Sequence, residues 1–143
     1  MRIVIDTNVL ISAALSHSGN PAQIISLWEE KVFEVLISKP ILAEYHRVFH
    51  YPHLPFPPEK ITNSLHDIEH TAVLVEQVEE LAIVSADSYD DKFLACAIAG
   101  HASYIVSGDE HLLALKEYKG IPILSPALFM AAVSEEVSTG GCA

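Results

Sequence analysis

Residues 2–10 read RIVIDTNVL. Ile3, Val4 and Ile5 are apolar without alternation, as a strand is when helices cover both faces of its sheet. The strand does not run on into a glycine turn. It stops at the carboxylate of Asp6, and a helix-compatible segment starts beside it at Thr7 and Asn8. The same aliphatic signature recurs at FEVLI (33–37), LAIV (81–84), YIV (104–106) and IPIL (121–124). Helical patterns separate these runs. One starts at Pro21 after Gly19 and Asn20, and a second at Ser38, with Pro40 in its first turn. A third opens at Pro58 and carries Ile61, Leu65, Ile68, Ala72 and Val75. Others span about 90–99, closed by Gly100, and about 110–118, closed by Gly120. A last one starts at Pro126. Strand–helix alternation of this kind predicts an α/β protein: a three-layer α/β/α sandwich around a mostly parallel five-stranded sheet. With no repeat and no low-complexity linker, one domain covers 1–133, and the polar residues 134–143 form a flexible tail.

The chain has 143 residues, half of them apolar, enough for one full core. Eight Lys and Arg against nineteen Asp and Glu give a formal charge of −11, which argues against a general phosphate-coating role. It leaves room for a carboxylate site that recruits cations. Two cysteines, Cys96 in an apolar helical stretch and Cys142 in the tail, are poorly placed to pair and suggest a reducing compartment. No basic-then-apolar leader precedes Asp6, and no apolar run approaches the ~18 residues of a membrane span. The expected setting is cytoplasmic, with no membrane partner.

In open parallel sheets, ligands bind outside the carboxyl ends of the strands, where strand order reverses. Four acids fall on that edge. Asp6 ends the first strand and Asp109 follows the fourth, after YIVSG. Asp91 lies in the first turn of the helix that returns to the fourth strand. Glu44 follows the second strand, on a helix whose Ile41, Leu42, Tyr45, Val48 and Phe49 form the apolar arc; it is expected on the shoulder of that arc, clear of the core. Carboxylates gathered on one rim repel unless a cation joins them. Hard oxygen donors suit Mg²⁺ or Mn²⁺ rather than zinc. Such a site activates water and neutralises a phosphoryl oxygen, which makes phosphodiester hydrolysis its natural chemistry. Thr7, Asn8 and Ser107 are polar turn residues able to support the acids. Asp90 reads first as a helix cap. Asp6 or Asn8 could cap the following helix in the same way.

Other chemistries fit less well. His46/His50 and His66/His70 each share a helix face, but zinc would need a further ligand and no H-E-x-x-H occurs. An aspartyl-phosphate phosphatase also ends a strand in Asp, yet wants a second Asp two residues on, where this chain has Asn8. Trp28 reads as core, and YPHLPFPP (51–58) as a rigid loop.

VIDTNVLISA, SKPILAEYHRVF, DDKFLACAIAG and YIVSGDEHLL together resemble the PIN-domain family, especially its bacterial and archaeal toxins of toxin–antitoxin pairs (VapC-like). The resemblance spans about residues 1–129, with the four blocks in the family's order. It implies a Rossmann-like sheet of strand order 3-2-1-4-5 and a Mg²⁺- or Mn²⁺-dependent ribonuclease. The family's acidic quartet maps onto Asp6, Glu44, Asp91 and Asp109, with Asn8 and Ser107 beside it. The ion would be held mainly by Asp6, Asp91 and Asp109, with Glu44 acting through water or completing a second site. Many relatives carry a further acid where this chain has His111, which provides less for a second ion. The resemblance also implies an RNA substrate, an antitoxin partner and a homodimer. Arg2, Lys39, Arg47 and Lys92 are the cations expected nearest the rim. Their scarcity keeps a second reading in view, a PIN fold that binds a partner without cutting.

Overall fold

The computed structural model describes residues 1–76 and 91–140. β1 (Arg2–Ile5) is the middle of the sheet, and its Ile3, Val4 and Ile5 are all 0% exposed. Successive side chains on a strand point to opposite faces, so burial of all three means that helices cover both sides. β2 (Glu34–Ile37) and β4 (Tyr104–Val106) flank β1 in parallel, with registers Ile3↔Val35 and Ile3↔Tyr104. β3 (Val73–Leu74) extends the sheet beyond β2, and β6 (Ile121–Leu124) extends it beyond β4, both in parallel. β5 (Glu117–Tyr118) closes the β6 edge in antiparallel fashion. Among the described residues the order is β3-β2-β1-β4-β6-β5. The expected mostly parallel α/β architecture is therefore present, with six strands among the described residues where five were expected.

The helices are α1 (Thr7–Leu15), α2 (Asn20–Glu29), α3 (Lys39–Phe49), α4 (Pro58–Thr71), α5 (Asp91–Ala99), α6 (Glu110–Leu115) and α7 (Pro126–Gly140). Local chemistry sets several of their ends. The Ser38 side chain accepts the Ile41 N–H at the start of α3, with Pro40 in the first turn. Trp28 of α2 is buried, as its apolar face implies. Phe129 of α7 meets Phe33 and Tyr104 edge-on, at ring-centroid distances of 5.5 and 5.8 Å, which seats the last helix on the sheet. None of the helices, over the described residues, is long and apolar enough to cross a membrane.

Two expectations fail on local backbone conformation. The helix from Pro58 was expected to carry Ala72 and Val75, but it ends at Thr71, where Ala72 turns extended (φ −73°, ψ 153°). The β-branched Val73 and Val75 then run beside β2, with Val73 opposite Leu36 and the Val75 N–H on the Ile37 carbonyl at 2.7 Å. The expected strand 81–84 lies outside the described residues. The helix expected over 110–118 stops at Leu115 because Lys116 takes φ 62°. Beyond it, Lys119 (φ 49°) and Gly120 (φ 84°) form the two-residue turn of the β5–β6 hairpin. Two successive positive φ angles mark a type I′ turn, for which Gly120 is suited. Gly120 thus closes a hairpin, not a helix. α7 runs to Gly140.

Gly100 follows α5 at a close approach. A Cβ there would stand 2.6 Å from Leu36 Cδ1, 2.9 Å from Val75 Cγ2 and 3.2 Å from the Cys96 carbonyl. Leu36 is itself fully buried and has little room to yield. Gly100→Ala should cost about 1–3 kcal/mol in urea unfolding. Gly108→Ala, whose Cβ would meet nothing within 4 Å, should stay within about 0.5 kcal/mol of wild type. Equal stability of the two variants would contradict this packing.

Candidate functional site

From β1 the chain builds outward to β2 and β3, then returns to the other side of β1 with β4. The order therefore reverses between β1 and β4, and the crevice lies at their carboxyl ends. Asp6 follows β1 there, and Ser107 follows β4. The two strand ends are joined by backbone, with the Asp6 N–H on the Val106 carbonyl at 2.9 Å, and by side chain, with Ser107 Oγ donating to Asp6 Oδ2 at 2.7 Å. Ser107 Oγ also accepts the Asp109 N–H at 2.9 Å. One hydroxyl thus aims the first acid and fixes the backbone of the last.

Asp6 occupies the N-cap position of α1 but makes no side-chain capping bond. The capping alternative therefore does not account for it. Asp109 does cap α6, accepting the His111 N–H at 3.4 Å, and stays half-buried. Its geometry serves the cap as well as the rim.

Glu44 departs from its expected place. It is 3% exposed, inside the core and not on the shoulder of α3. A buried carboxylate needs partners, and Glu44 has them on both oxygens. Thr7 Oγ1 donates to Oε2, and Lys92 Nζ donates to Oε1 at 2.5 Å, with Arg47 Nη2 at 3.9 Å. Lys92 is the second residue of α5, so the pair ties α5 to α3 and, through Thr7, to the start of α1. Next to Glu44, the buried Tyr45 hydroxyl donates to the Ile5 carbonyl at 2.6 Å and clamps the end of β1. Burial, followed by the charge of Asp6, holds the Tyr45 phenol well above its ordinary value, so it remains a neutral donor. Sequence reasoning placed Tyr45 only in the apolar arc; a hydroxyl at a core position was the available signal.

Asp91 is the first residue of α5, half-buried, and its neighbour Lys92 reaches Glu44, which puts it on the same edge. Asp90 lies outside the described residues. Asn8 is exposed on α1. Of the cations expected at the rim, Lys92 and Arg47 are there. Arg2 is at the opposite end of β1, against Glu34 at 3.4 Å and the Gly100 carbonyl. Three of the histidines have ordinary surface partners: His46 Nε2 meets Glu69 Oε1 of α4 at 2.6 Å, while His50 and His70 donate to carbonyls one turn back. Burial pushes the Cys96 thiol up to about 12, so it is an inert core residue.

Asp6 is 5% exposed, and burial, together with the charges of Glu44 and Asp109, raises its carboxyl above the usual range against the pull of the Ser107 hydroxyl. A buried carboxylate facing two others is relieved by a proton or a cation. The donors are hard oxygens, so the set fits a hard divalent ion in its chemistry. The fit is not a finished cage. Among the described residues, no three His, Cys, Asp or Glu groups converge closely enough to hold an ion as placed. Asp6, Glu44 and Asp109 lean instead toward their own protein donors.

A family model described as PIN domain matches residues 2–111. The solved structure of VapBC2 from Rickettsia felis bound to a DNA fragment from their promoter is similar in fold. The TM-score is 0.58 at 15% identity, over 87% of this chain and 98% of that one. None of the curated proteins matches the chain.

The raised Asp6 has a measurable sign. Between its unfolded value of about 3.9 and its higher folded value, the folded chain holds more protons than the unfolded one. Asp6 therefore favours folding most below that window and progressively less as pH rises through it. In EDTA at pH 7, Asp6→Asn should melt above wild type, the gap closing as pH falls to about 4. A variant melting at or below wild type at pH 7 would contradict this electrostatic picture.

Proposed function

The chain belongs to the PIN-domain family, and on that premise we propose that it is a metal-dependent endoribonuclease, the toxin of a toxin–antitoxin pair. PIN domains are generally nucleases and generally use divalent metals. The observation that carries the reading is the buried Asp6 at the strand-order reversal, aimed by Ser107 and facing Glu44 and Asp109. Asp6, Asp91 and Asp109 are the residues that would hold Mg²⁺ or Mn²⁺. A bound ion would supply an activated water and neutralise charge on the phosphoryl oxygen during in-line displacement.

The chain's own groups do the rest. Ser107 fixes the direction of the Asp6 carboxylate and the backbone ahead of Asp109. Tyr45 holds the carbonyl that precedes Asp6, so the carboxylate sits on a rigid strand end. Lys92 and Arg47 are the cations beside the acids, where an RNA phosphate would enter. The formal charge of −11 leaves few other sites for phosphate, so engagement would be confined to this rim. The similarity in fold to a toxin–antitoxin complex supports an antitoxin partner for this chain as well. A homodimer and a cytoplasmic setting belong to the same proposal.

The second reading, a PIN fold that binds a partner without cutting, is favoured by one observation: Lys92 already occupies the Glu44 carboxylate. Cleavage of single-stranded RNA with Mn²⁺ separates the two. Wild type should cut, while Asp6→Asn should fall to background with an unchanged circular dichroism spectrum. Undiminished cleavage by the variant would sink the site assignment. Failure of wild type to cut or to bind Mn²⁺ by calorimetry would favour the binding module.

A further inference from the structure

The acids at the rim are not equivalent. Glu44 has both oxygens committed, one to the Thr7 hydroxyl and the other to the Lys92 ammonium at 2.5 Å, with a guanidinium 3.9 Å away. At 3% exposure this carboxylate is desolvated, and its bond to an ammonium is charge-assisted in a low-dielectric setting. Asp6 and Asp109 differ. Among the described residues no ammonium or guanidinium pairs with either, and their partners are a hydroxyl and backbone N–H groups. A divalent ion entering this rim therefore meets unneutralised charge at Asp6 and Asp109. At Glu44 it would first have to displace the Lys92 ammonium.

We propose that Lys92 is a built-in counter-ion that removes Glu44 from the metal-binding set, so that the chain takes up a single divalent ion, at Asp6, Asp91 and Asp109. Glu44 is then a positioning residue. It holds Thr7, the residue after Asp6, and fastens α5 and α3 across the crevice. Lys92 supplies there the positive charge that a second ion would otherwise bring. This inference rests on the metal-dependent reading above, and it assigns different duties within the quartet.

The test is calorimetric titration of the full, metal-stripped chain with Mn²⁺, which needs no cleavage assay. Wild type should bind one ion per chain. The double variant Glu44→Gln/Lys92→Met replaces the ion pair with a neutral pair, and should bind one ion with affinity within about threefold of wild type. Lys92→Met alone exposes the Glu44 charge. It should bind a second ion, or bind the first at least about tenfold more tightly. Lys92→Arg should restore wild-type binding. Melting of the metal-free proteins gives a second readout: Lys92→Met should fall below both wild type and the double variant, because only it keeps the buried Glu44 charge while removing its closest cation and leaving Arg47 at 3.9 Å.

Two ions on wild type, or a loss of about tenfold or more in the double variant, would overturn the inference by making Glu44 a ligand. So would a Lys92→Met protein unchanged in both binding and melting. These failures leave the nuclease reading standing, provided that Asp6→Asn abolishes binding. Absence of Mn²⁺ binding by wild type would overturn both together.

Discussion

The carboxylate of Asp6 is buried at the end of the central strand, and one serine hydroxyl from the neighbouring strand holds it there. Much of the surrounding structure follows from that constraint. β1 is covered on both faces, so its end cannot turn out to water. Tyr45 takes the last strand carbonyl, and the Asp6 N–H continues the ladder to β4. The carboxylate is left facing other acids in a crevice opened by the reversal of strand order. A core strand ending this way is costly in isolation. On the proposed function it becomes intelligible as the fixed half of a site whose other half would be a cation.

The electrostatics divide the rim into two parts. Around Glu44, the protein supplies its own neutralisation from α5 and α3, and burial tightens the arrangement. Around Asp6 and Asp109, hydroxyl and amide dipoles supply direction without cancelling the charge. This division also bears on the overall acidity of the chain. A strongly negative molecule approaches a polyanion only where positive charge is concentrated. The cations drawn in by Glu44 stand beside the acids that remain open to an ion.

A large part of this was legible in the sequence, because the signals were short-range. Continuous aliphatic runs marked β1, β2, β4 and β6, Ser38 with Pro40 marked the start of α3, and Asp6 after such a run marked the edge. The misses came from long-range effects. Val73–Leu74 is too short to read as a strand until β2 lies beside it. A positive φ at Lys116 ended a helix that the apolar pattern would have continued, and turned Gly120 from a helix stop into a hairpin residue. Glu44 was displaced from shoulder to core because Lys92, forty-eight positions away in sequence, comes to it. The wheel of one helix carries no information about a partner on another. Arg2 was misplaced for a simpler reason: it starts the strand that Asp6 ends, so it lies at the opposite edge.

The central claim is that the strand-end carboxylate of Asp6 is where a divalent cation binds. Paramagnetic broadening of backbone amide resonances during a substoichiometric Mn²⁺ titration would locate the ion directly. Signals from Asp6, Thr7, Ser107, Gly108 and Asp109 should vanish first, while those of Lys60 and Ser64 on α4 persist. Broadening that begins at the histidines of α3 and α4, or spreads evenly over the acidic surface, would contradict the account.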